Sequence, residues 1–360
     1  MMSEVMDVKA ELVEHYRQQL AGVFADRPWV VATGMLVGSV NTAKALRGLG
    51  AQRVLSIGAS RGTGDLPPAE EYPQIDLGVV ATGGMRLAIN SAQDALLRLS
   101  TATQERVERF DPDGTADVVG EIFCGNEPIA GRRIFGGRPQ SWQAIEDKMI
   151  IDDFWDQAGI DRPPCEIVVA EIGALNAAAR RLDRGLGTVW VGDNREGWHG
   201  GATLLRWVRT PEESVAAQGF LATHCDRVRV MPFLDGIPCS IHGWVFPDGT
   251  LIALRPCEML VFRQPGRDTL SYAGAATSWK PRPEVATTMR QAALRAGARL
   301  RDVLGYRGSF TLDGVATADG FLPTELNPRF GAAIGRMSGS LPELPLYLLH
   351  LCTAEGLDLD

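Results

Sequence analysis

Two carboxylates and one amide near the C-terminal end of the chain have the spacing of a metal site. Glu325 and Asn327 are two residues apart on a predicted strand, so their side chains share a face. If the chain turns back at residues 319–320, Asp313 on the preceding strand lies near their level. Such an all-oxygen set suits Mg²⁺, which keeps part of its shell for water and phosphates. The simpler alternative is the solvated face of an ordinary hairpin.

The elements that would position these three side chains are marked in the sequence. A long helix is predicted from about Pro283 to Leu304, with Gly305 as its stop. Two strands follow over residues 308–317 and 321–327, joined by a turn at Asp319-Gly320. The pattern predicts a hairpin that packs beside the helix.

The composition excludes several classes of protein. The chain has 360 residues, of which 45% are hydrophobic, which is enough for two or three packed units. Its formal net charge of −8 argues against a general nucleic-acid binder. The 6 cysteines are scattered without a C-x-x-C pair, so neither a zinc site nor a disulfide framework is predicted, and a reducing cytoplasm is expected. No apolar run reaches membrane-spanning length, and the N-terminus is an amphipathic helix rather than a signal peptide.

The first part of the chain has the order of an open α/β layer. Strands are predicted at 29–33, 53–58 and 75–81, with a helix over 39–49 after the first of them. The glycine-containing stretch Gly34–Ser39 is neither a Walker motif nor G-x-G-x-x-G, so its glycines are expected to form tight turns. The same absence argues against a nicotinamide oxidoreductase. A second loop, Gly58–Asp65, is a candidate substrate loop.

The remainder of the chain is predicted as two further units. A helix from Ser141 to Gly159, a helix over 174–182 and strands at 167–170 and 188–191 lead to a glycine-rich loop, Gly192–Gly201. Thr210 is predicted to cap the next helix, and strands follow over 227–234, 239–246 and 250–263. The predicted domains are 1–125, 126–225 and 226–360.

The run GYRGSFTLDG…GFLPTELNPRFG resembles the metal-binding core of ATP-grasp ligases, a family that includes D-alanine–D-alanine ligase and biotin carboxylase. The resemblance implies the ATP-grasp fold, of the α/β (α+β) class, preceded by an open Rossmann-like N-terminal domain. It implies that Asp313, Glu325 and Asn327 hold two Mg²⁺ ions, or Mn²⁺, against the phosphates of ATP. It places Arg329 beside the transferred phosphate and the acyl oxygen.

The resemblance extends over roughly residues 130 to 355 and implies further site residues. Lys148 matches the first phosphate-binding lysine of the family, although it could be an ordinary exposed helix residue. Arg255 matches a phosphate or acyl-phosphate contact on a strand, and its alternative is a surface arginine. The residues implied in nucleotide binding, from that lysine, the lid loop and the adenine hinge, are Lys148, Arg195, Gly200, Gly201, Met231, Pro232, Phe233 and Leu234.

Two positions depart from the family pattern. A second lysine usually stands just before the lid, where this chain has Gly192, and the sequence contains no lysine between 149 and 279. Arg195 or Arg206 is expected to supply the charge as a planar fork instead of a point charge. The acidic residue that often holds the ribose is also missing, with Pro238 near that place.

The resemblance implies a cytoplasmic, ADP-forming ligase that joins a small carboxylate, such as an amino acid or small peptide, to an amine through an acyl phosphate. Two alternatives remain: an ATP-grasp enzyme with a different acceptor, and an ATP-binding module without turnover. His199 and His242 are candidates for the base, each with a structural role as the alternative. A homodimer is common among relatives, but the sequence shows no self-complementary face.

Overall fold

The computed structural model describes residues 2–82, 85–120, 127–197, 199–263, 269–339 and 343–359. The chain divides into two compact units. One comprises Met1–Gln140, Phe246–Asp248 and Ile334–Asp360, and the other comprises Ser141–Val245 and Gly249–Ala333. The predicted boundary near residue 125 lies outside the described residues, and the division into three domains stays a prediction. Within the described residues, no helix is long and apolar enough to cross a lipid bilayer.

The first unit contains a parallel sheet in the order β3-β2-β1-β4. Its core includes Val30, Ile57 and Val118 from the sheet and Leu96 from a helix. Parallel strands need helical crossovers, and the apolar runs of these strands fit such a buried sheet. The elements of this unit are α1 (Met2–Phe24), β1 (Pro28–Met35), α2 (Leu36–Gly48), β2 (Arg53–Ser60), β3 (Gln74–Asp76), α3 (Met85–Leu97), α4 (Thr101–Phe110), β4 (Asp117–Gly120) and α11 (Leu346–Glu355).

The glycine turn predicted at Gly34 is wrong. The strand β1 continues through Met35, and α2 begins directly at Leu36. Gly58 of β2 is needed for this junction, because a Cβ atom there would lie 2.6 Å from Cγ of Leu36. The glycine at 58 therefore serves the close approach of the helix start to the sheet.

The second unit contains two antiparallel sheets. The first has the order β5-β8-β6-β7, and the second has the order β12-β11-β9-β13-β14 with β10 beside β9. The mixed α/β class predicted from the sequence is confirmed. The elements that lie wholly or partly in this unit are α5 (Gln140–Ala144), α6 (Ile151–Gln157), β5 (Glu166–Val169), α7 (Ile172–Leu182), β6 (Thr188–Gly192), β7 (Leu205–Val208), α8 (Pro211–His224), β8 (Arg227–Pro232), β9 (Ile237–Val245), β10 (Leu251–Ala253), β11 (Cys257–Arg263), β12 (Leu270–Ala276), α9 (Pro283–Leu304), β13 (Gly308–Thr317), β14 (Gly320–Asn327) and α10 (Ala332–Ser338).

The helix α9 and the hairpin β13–β14 have the predicted bounds to within one residue. Gly305 caps α9 in the left-handed conformation, with φ 57°. The buried face of α9 is rich in small residues, and a Cβ at Gly297 would lie 3.2 Å from the ring of Phe310 on β13. The helix therefore packs closely against the strand that carries Asp313 and fixes it within the sheet.

The buried His242 on β9 should make stability depend on pH. Burial lowers its pKa to about 4, from the 6.5 of an unfolded chain. Between those values the unfolded state binds a proton that the folded state does not, so stability falls as pH drops from 6.5 to 4, by about 3 kcal/mol. The free energy of unfolding, measured with urea at several pH values in this range, should change less with pH in His242→Gln than in wild type. An unchanged pH dependence would contradict this origin, and His15→Gln, on the exposed face of α1, is the matched control.

Candidate active site

The hairpin β13–β14 brings the predicted metal-binding side chains together. Asp313 pairs directly with Glu325 across the two strands, and Asn327, two residues further along β14, lies on the same face. The amide Nδ2 of Asn327 donates a hydrogen bond of 2.9 Å to Oδ2 of Asp313. Ser240 on β9, opposite Asp313 on its other side, donates its hydroxyl proton to Oδ1. The two carboxylates and the amide therefore form one connected set.

The two carboxylates have opposite pKa shifts. Burial and the neighbouring charge of Glu325 raise the pKa of Asp313 to about 6. Burial also disfavours the charged form of Glu325, but Lys148 outweighs it, and the pKa of Glu325 is lowered. Nζ of Lys148 lies 2.9 Å from Oε1 of Glu325. Lys148 and Arg329 both favour the charged forms of these carboxylates, yet the pKa of Asp313 remains raised. A cation between the two carboxylates would favour the charged form of Asp313.

Lys148 reaches this site from a turn rather than from a helix. The single helix predicted from Ser141 to Gly159 is wrong, because the chain forms α5, a turned segment over 145–150, and α6. The carboxylate of Asp147 accepts a hydrogen bond of 2.9 Å from the backbone N–H of Met149. Such a local bond competes with the helical ladder and interrupts it. The turn buries the stem of Lys148 and directs its amine to Glu325.

The two predicted arginines occupy different surroundings. Arg329 donates a hydrogen bond of 2.9 Å from Nη2 to Oδ1 of Asn327, and its Nε lies 3.5 Å from a carboxylate oxygen of Glu146. Arg255 is exposed in the connection between β10 and β11, so the continuous strand predicted over 250–263 is wrong. The structure thus brings Arg329, and not Arg255, into contact with the predicted metal-binding set of Asp313, Glu325 and Asn327.

A pocket of about 90 Å³ opens beside Glu325. Its walls contain five of the predicted site residues, which are Lys148, Gly200, Gly201, Met231 and Glu325. The remaining lining residues are Val191, His199, Ala202, Leu204, Leu205, Arg229 and Thr324. The lining therefore combines apolar side chains with charged groups and backbone of the glycine-rich loop. This combination suits a ligand with a flat apolar part and an anionic part.

The predicted adenine hinge, residues 231–234, begins at the pocket. Met231 lines the pocket, and Pro232 ends β8. The backbone N–H of Phe233 donates to the carbonyl of Gly187 at 3.0 Å, and its ring stacks on Trp207 with centroids 4.2 Å apart. Leu234 is half-buried in the following connection. The hinge is thus held firmly, with Met231 as its contribution to the pocket.

The glycine-rich loop is fastened to the helix α8 and the strand β8. Oδ2 of Asp193 accepts backbone N–H groups of Asp226 and Arg227, at 3.2 and 2.7 Å. Arg195 pairs with Asp226 at 3.0 Å and donates to the carbonyl of Thr223. Arg195 is accordingly directed toward α8 and is absent from the described pocket lining. Its assignment as a nucleotide ligand stays a prediction that this arrangement does not favour.

The two candidate histidines also differ. Nε2 of His199 lies 3.1 Å from the carbonyl oxygen of Gly192, and because a carbonyl only accepts, Nε2 carries the proton. Burial and then the charge of Lys148 lower the pKa of His199, so its ring is neutral at pH 7. His242 lies within the sheet, with Nδ1 2.8 Å from Oγ1 of Thr311, and does not line the pocket. Of these two histidines, only His199 is placed to meet a ligand.

The donor set fits a hard divalent cation. Across the described ranges, no three His, Cys, Asp or Glu side chains group closely enough to hold an ion. Asp313, Glu325 and the amide oxygen of Asn327 form a smaller set of three oxygen donors, which suits an ion that keeps water and phosphate ligands. Asn327 presents its nitrogen to Asp313 here, so its amide would have to turn to offer oxygen to an ion.

The architecture is similar to that of solved ligases. The biotin carboxylase of Campylobacter jejuni, in a β,γ-ATP complex, has a TM-score of 0.65 at 13% identity over 92% of this chain and 72% of that one. The biotin carboxylase domain of the 2-oxoglutarate carboxylase of Hydrogenobacter thermophilus, with MgADP, ADP and bicarbonate, has a TM-score of 0.59 at 15% identity over 92% and 69%.

The N5-carboxyaminoimidazole ribonucleotide synthetase of Thermus thermophilus has a TM-score of 0.55 at 18% identity, over 92% of this chain and 79% of that one. The chain has the ATP-grasp fold. No protein-family profile and no curated protein matches the sequence. The resemblance drawn from the hairpin is therefore confirmed at the level of the fold.

Gly192 stands at the position just before the lid where the family pattern has a second lysine, and its surroundings explain why a long side chain is absent there. A Cβ atom at Gly192 would lie 2.0 Å from Sγ of Cys225 and 3.4 Å from Cβ of Leu204. Cys225 and Leu204 belong to the buried cluster between the sheet and its helices. Side chains alternate along a strand, and Val191 faces the pocket, so residue 192 faces away from it. A lysine at this position would have to displace Cys225.

Gly192→Ala is expected to destabilise the protein by roughly 1–3 kcal/mol, because the added methyl group overlaps Cys225. Thermal unfolding should show a lowered Tm that Cys225→Ala restores when the two changes are combined. Gly173→Ala on α7 is the control, since a Cβ there meets no atom within 4 Å. Additive losses in the double variant would show that the close approach to Cys225 is not the cause.

The surroundings of Arg206 do not favour it as the source of the missing charge, which stays a prediction. Its guanidinium stacks over the ring of Phe220 at 3.7 Å, and its Nη1 donates to the carbonyl of Leu205 at 2.7 Å. Arg229 is the arginine that lines the pocket, a residue that the pattern of β8 did not single out. In sequence it is one of two alternating arginines on an apolar strand, and only its buried position distinguishes it from the exposed Arg227.

Proposed function

We propose that the protein is an ATP-dependent ligase that activates a small carboxylate as an acyl phosphate and couples it to an amine, with release of ADP and phosphate. The observation that carries the proposal is the pairing of Asp313 with Glu325 on adjacent strands, with Lys148 on Glu325 beside the pocket. Solved structures that share the fold hold ADP, MgADP or an ATP analogue, which supports a nucleotide in this pocket.

The apolar side chains of Val191, Leu205 and Met231 would take the adenine ring. The backbone of Gly200 and Gly201, from the loop over the pocket, would lie along the phosphate chain, where its N–H groups can bind oxygen. Lys148 would leave Glu325 and neutralise phosphate charge. Mg²⁺ held by Asp313, Glu325 and Asn327, with Mn²⁺ as a substitute, would neutralise further charge on the phosphate oxygens.

Arg329 would hold the reacting carboxylate. It lies beside Asn327, next to the metal-binding set, and is 37% exposed, so a substrate can reach its guanidinium. An arginine fork matches the two oxygens of a carboxylate. Attack of that carboxylate on the terminal phosphate of ATP would give the acyl phosphate and ADP. The amine then displaces phosphate, and the loop over the pocket protects the acyl phosphate from water.

His199 is the described histidine that could accept the proton of the amine. Its Nε2–H donates to the carbonyl of Gly192, so the lone pair that could accept a proton is on Nδ1. The role of Arg255, the cytoplasmic location and a homodimer stay predictions. An amino acid or small peptide remains the proposed substrate class.

The proposal is tested with hydroxylamine as a general amine. Purified protein, Mg²⁺ and ATP are incubated with pools of amino acids and dipeptides, and hydroxamate and ADP are measured together. A carboxylate-dependent hydroxamate, formed in equal amount with ADP, is expected, because an acyl phosphate reacts with hydroxylamine. The Arg329→Lys variant should retain nucleotide binding but form less hydroxamate.

A module that binds ATP without turnover is the second candidate, and the absence of space for a lysine at Gly192 favours it. It predicts nucleotide binding with neither hydroxamate nor ADP in any pool. Hydroxylamine traps an acyl phosphate whatever the natural acceptor, so the acceptor class is identified by comparing ADP release with an amine and with a thiol in the absence of hydroxylamine. These outcomes separate the three functions.

A further inference from the structure

We infer that Arg229, oriented by the buried Asp152, is the second cation of the nucleotide site and donates hydrogen bonds to the phosphate chain. The inference rests on the proposed function and names a residue that no local sequence pattern singles out. Arg229 is 1% exposed and lines the same pocket as Lys148, Gly200 and Gly201.

The register of the sheet places Arg229 on the pocket side. It pairs with Val191 of β6, and both residues line the pocket, as does Met231 two residues further along β8. Gly192, the next residue of β6, faces the opposite cluster and has no space for a side chain. The neighbouring strand therefore provides the long cationic side chain that β6 lacks.

Asp152 fixes the direction of the guanidinium. Nε of Arg229 donates to Oδ2 of Asp152 at 2.6 Å, and Nη2 donates to Oδ1 at 2.7 Å. Nη1 contacts Sδ of Met231 at 3.4 Å. These three contacts use three of the five N–H groups of an arginine, so two stay available for a ligand.

The surroundings of Asp152 support the same orientation. The thiol of Cys165 donates to Oδ2 of Asp152 at 2.9 Å, and Nη1 of Arg162 lies 3.8 Å from its Oδ1. Asp152 thus lies near two cations, Arg229 and Arg162, so its single negative charge does not fully neutralise Arg229. A buried ion pair is commonly no more stabilising than apolar residues of similar size, so stability alone does not explain an arginine in a pocket wall.

A fixed guanidinium in a pocket wall, such as that of Arg229, is expected to bind an anion. In the described lining, Lys148 is compensated by Glu325, and Arg229 is the other cation. A rigid fork in the same lining as a glycine-rich loop matches two phosphate oxygens better than an aromatic ring. Arg229 should therefore contribute to the binding of ADP and contribute little to the binding of adenosine.

The test measures the affinity ratio of ADP to adenosine, by calorimetry for ADP and by ligand-observed NMR for adenosine, both with Mg²⁺. Removing Arg229 alone would leave Asp152 buried without its partner, so the first variant combines Arg229→Met with Asp152→Leu. Its affinity for ADP is expected to fall roughly 10- to 100-fold with adenosine unchanged, as for loss of a charged hydrogen bond. Arg227→Met, an exposed arginine on the same strand, is the matched control and should bind ADP as wild type does.

Arg229→Lys is a second variant that keeps a charge opposite Asp152 but removes the fork. It should also lose ADP affinity without losing adenosine affinity, and it keeps the inference testable if the double variant does not fold. Equal losses for ADP and adenosine, or no loss for either, would overturn the role of Arg229 while leaving the proposed function intact. Failure of the wild-type protein to bind ADP would overturn both.

Discussion

Glu325→Gln is expected to lower the affinity for Mg²⁺ at least ~100-fold and to remove ATP turnover with it. Even residues that only support metal ligands change metal affinity by about 10- to 100-fold, and Glu325 is proposed as a direct ligand. Glutamine has nearly the same shape but no charge, so the hairpin should keep its fold. The loss should appear as a much higher Mg²⁺ concentration for half-maximal ADP release.

The same hairpin offers a matched control for this variant. Asp319 is an exposed carboxylate in the turn between β13 and β14, and Asp319→Asn removes one charge without touching the site. It should leave the Mg²⁺ dependence unchanged. Wild-type behaviour in Glu325→Gln, or an equal effect in Asp319→Asn, would show that the carboxylate pair does not hold the metal.

Lys148→Met is expected to change metal binding and nucleotide binding in opposite directions. Nζ of Lys148 lies 2.9 Å from Oε1 of Glu325, so it competes with a cation for that carboxylate. Its removal should strengthen the binding of Mn²⁺ in the absence of nucleotide. The electron paramagnetic resonance signal of unbound Mn²⁺ measures this binding directly. The affinity for ADP should fall roughly 10- to 100-fold, because a charged hydrogen bond to phosphate is lost.

The opposite signs distinguish this account from a structural role of Lys148. If Lys148 only supported the turn between α5 and α6, its replacement would weaken the binding of both Mn²⁺ and ADP. Lys44→Met, on the exposed side of α2, controls for the change in net charge. Weaker Mn²⁺ binding in Lys148→Met would contradict the competition between lysine and metal for Glu325.

Local signals in the sequence were sufficient where the structure depends on local chemistry. The bounds of α9 follow from Pro283 at its start and Gly305 at its end. Thr210 caps α8 as predicted, with its hydroxyl accepting the N–H of Glu213 at 3.2 Å. The hairpin that carries Asp313 and Glu325 followed from strand alternation and the turn at residues 319–320, so the metal-binding set could be proposed before the structure.

The features that sequence did not predict depend on partners distant in the chain. Arg229 is buried because Asp152, 77 residues earlier, pairs with it. Gly192 excludes a side chain because Cys225 packs against it. Periodicity describes one segment at a time, so neither contact leaves a mark in its own segment.

Local side-chain chemistry also overrode periodicity in one place. The helix predicted through Lys148 had an acceptable apolar stripe, but the carboxylate of Asp147 bonds to the backbone and ends the first turn. The result is a short irregular segment that brings Lys148 to Glu325.

The most direct test of the central claim is a calorimetric titration of a non-hydrolysable ATP analogue into the wild-type protein, once with Mg²⁺ and once with EDTA. Saturable binding at one site, much tighter with Mg²⁺ than with EDTA, is expected, since Asp313 and Glu325 would then hold the ion against the phosphates. Absence of binding in both conditions would contradict an ATP-dependent function for this fold. Equal binding in both would contradict a role for the carboxylate pair in holding the metal.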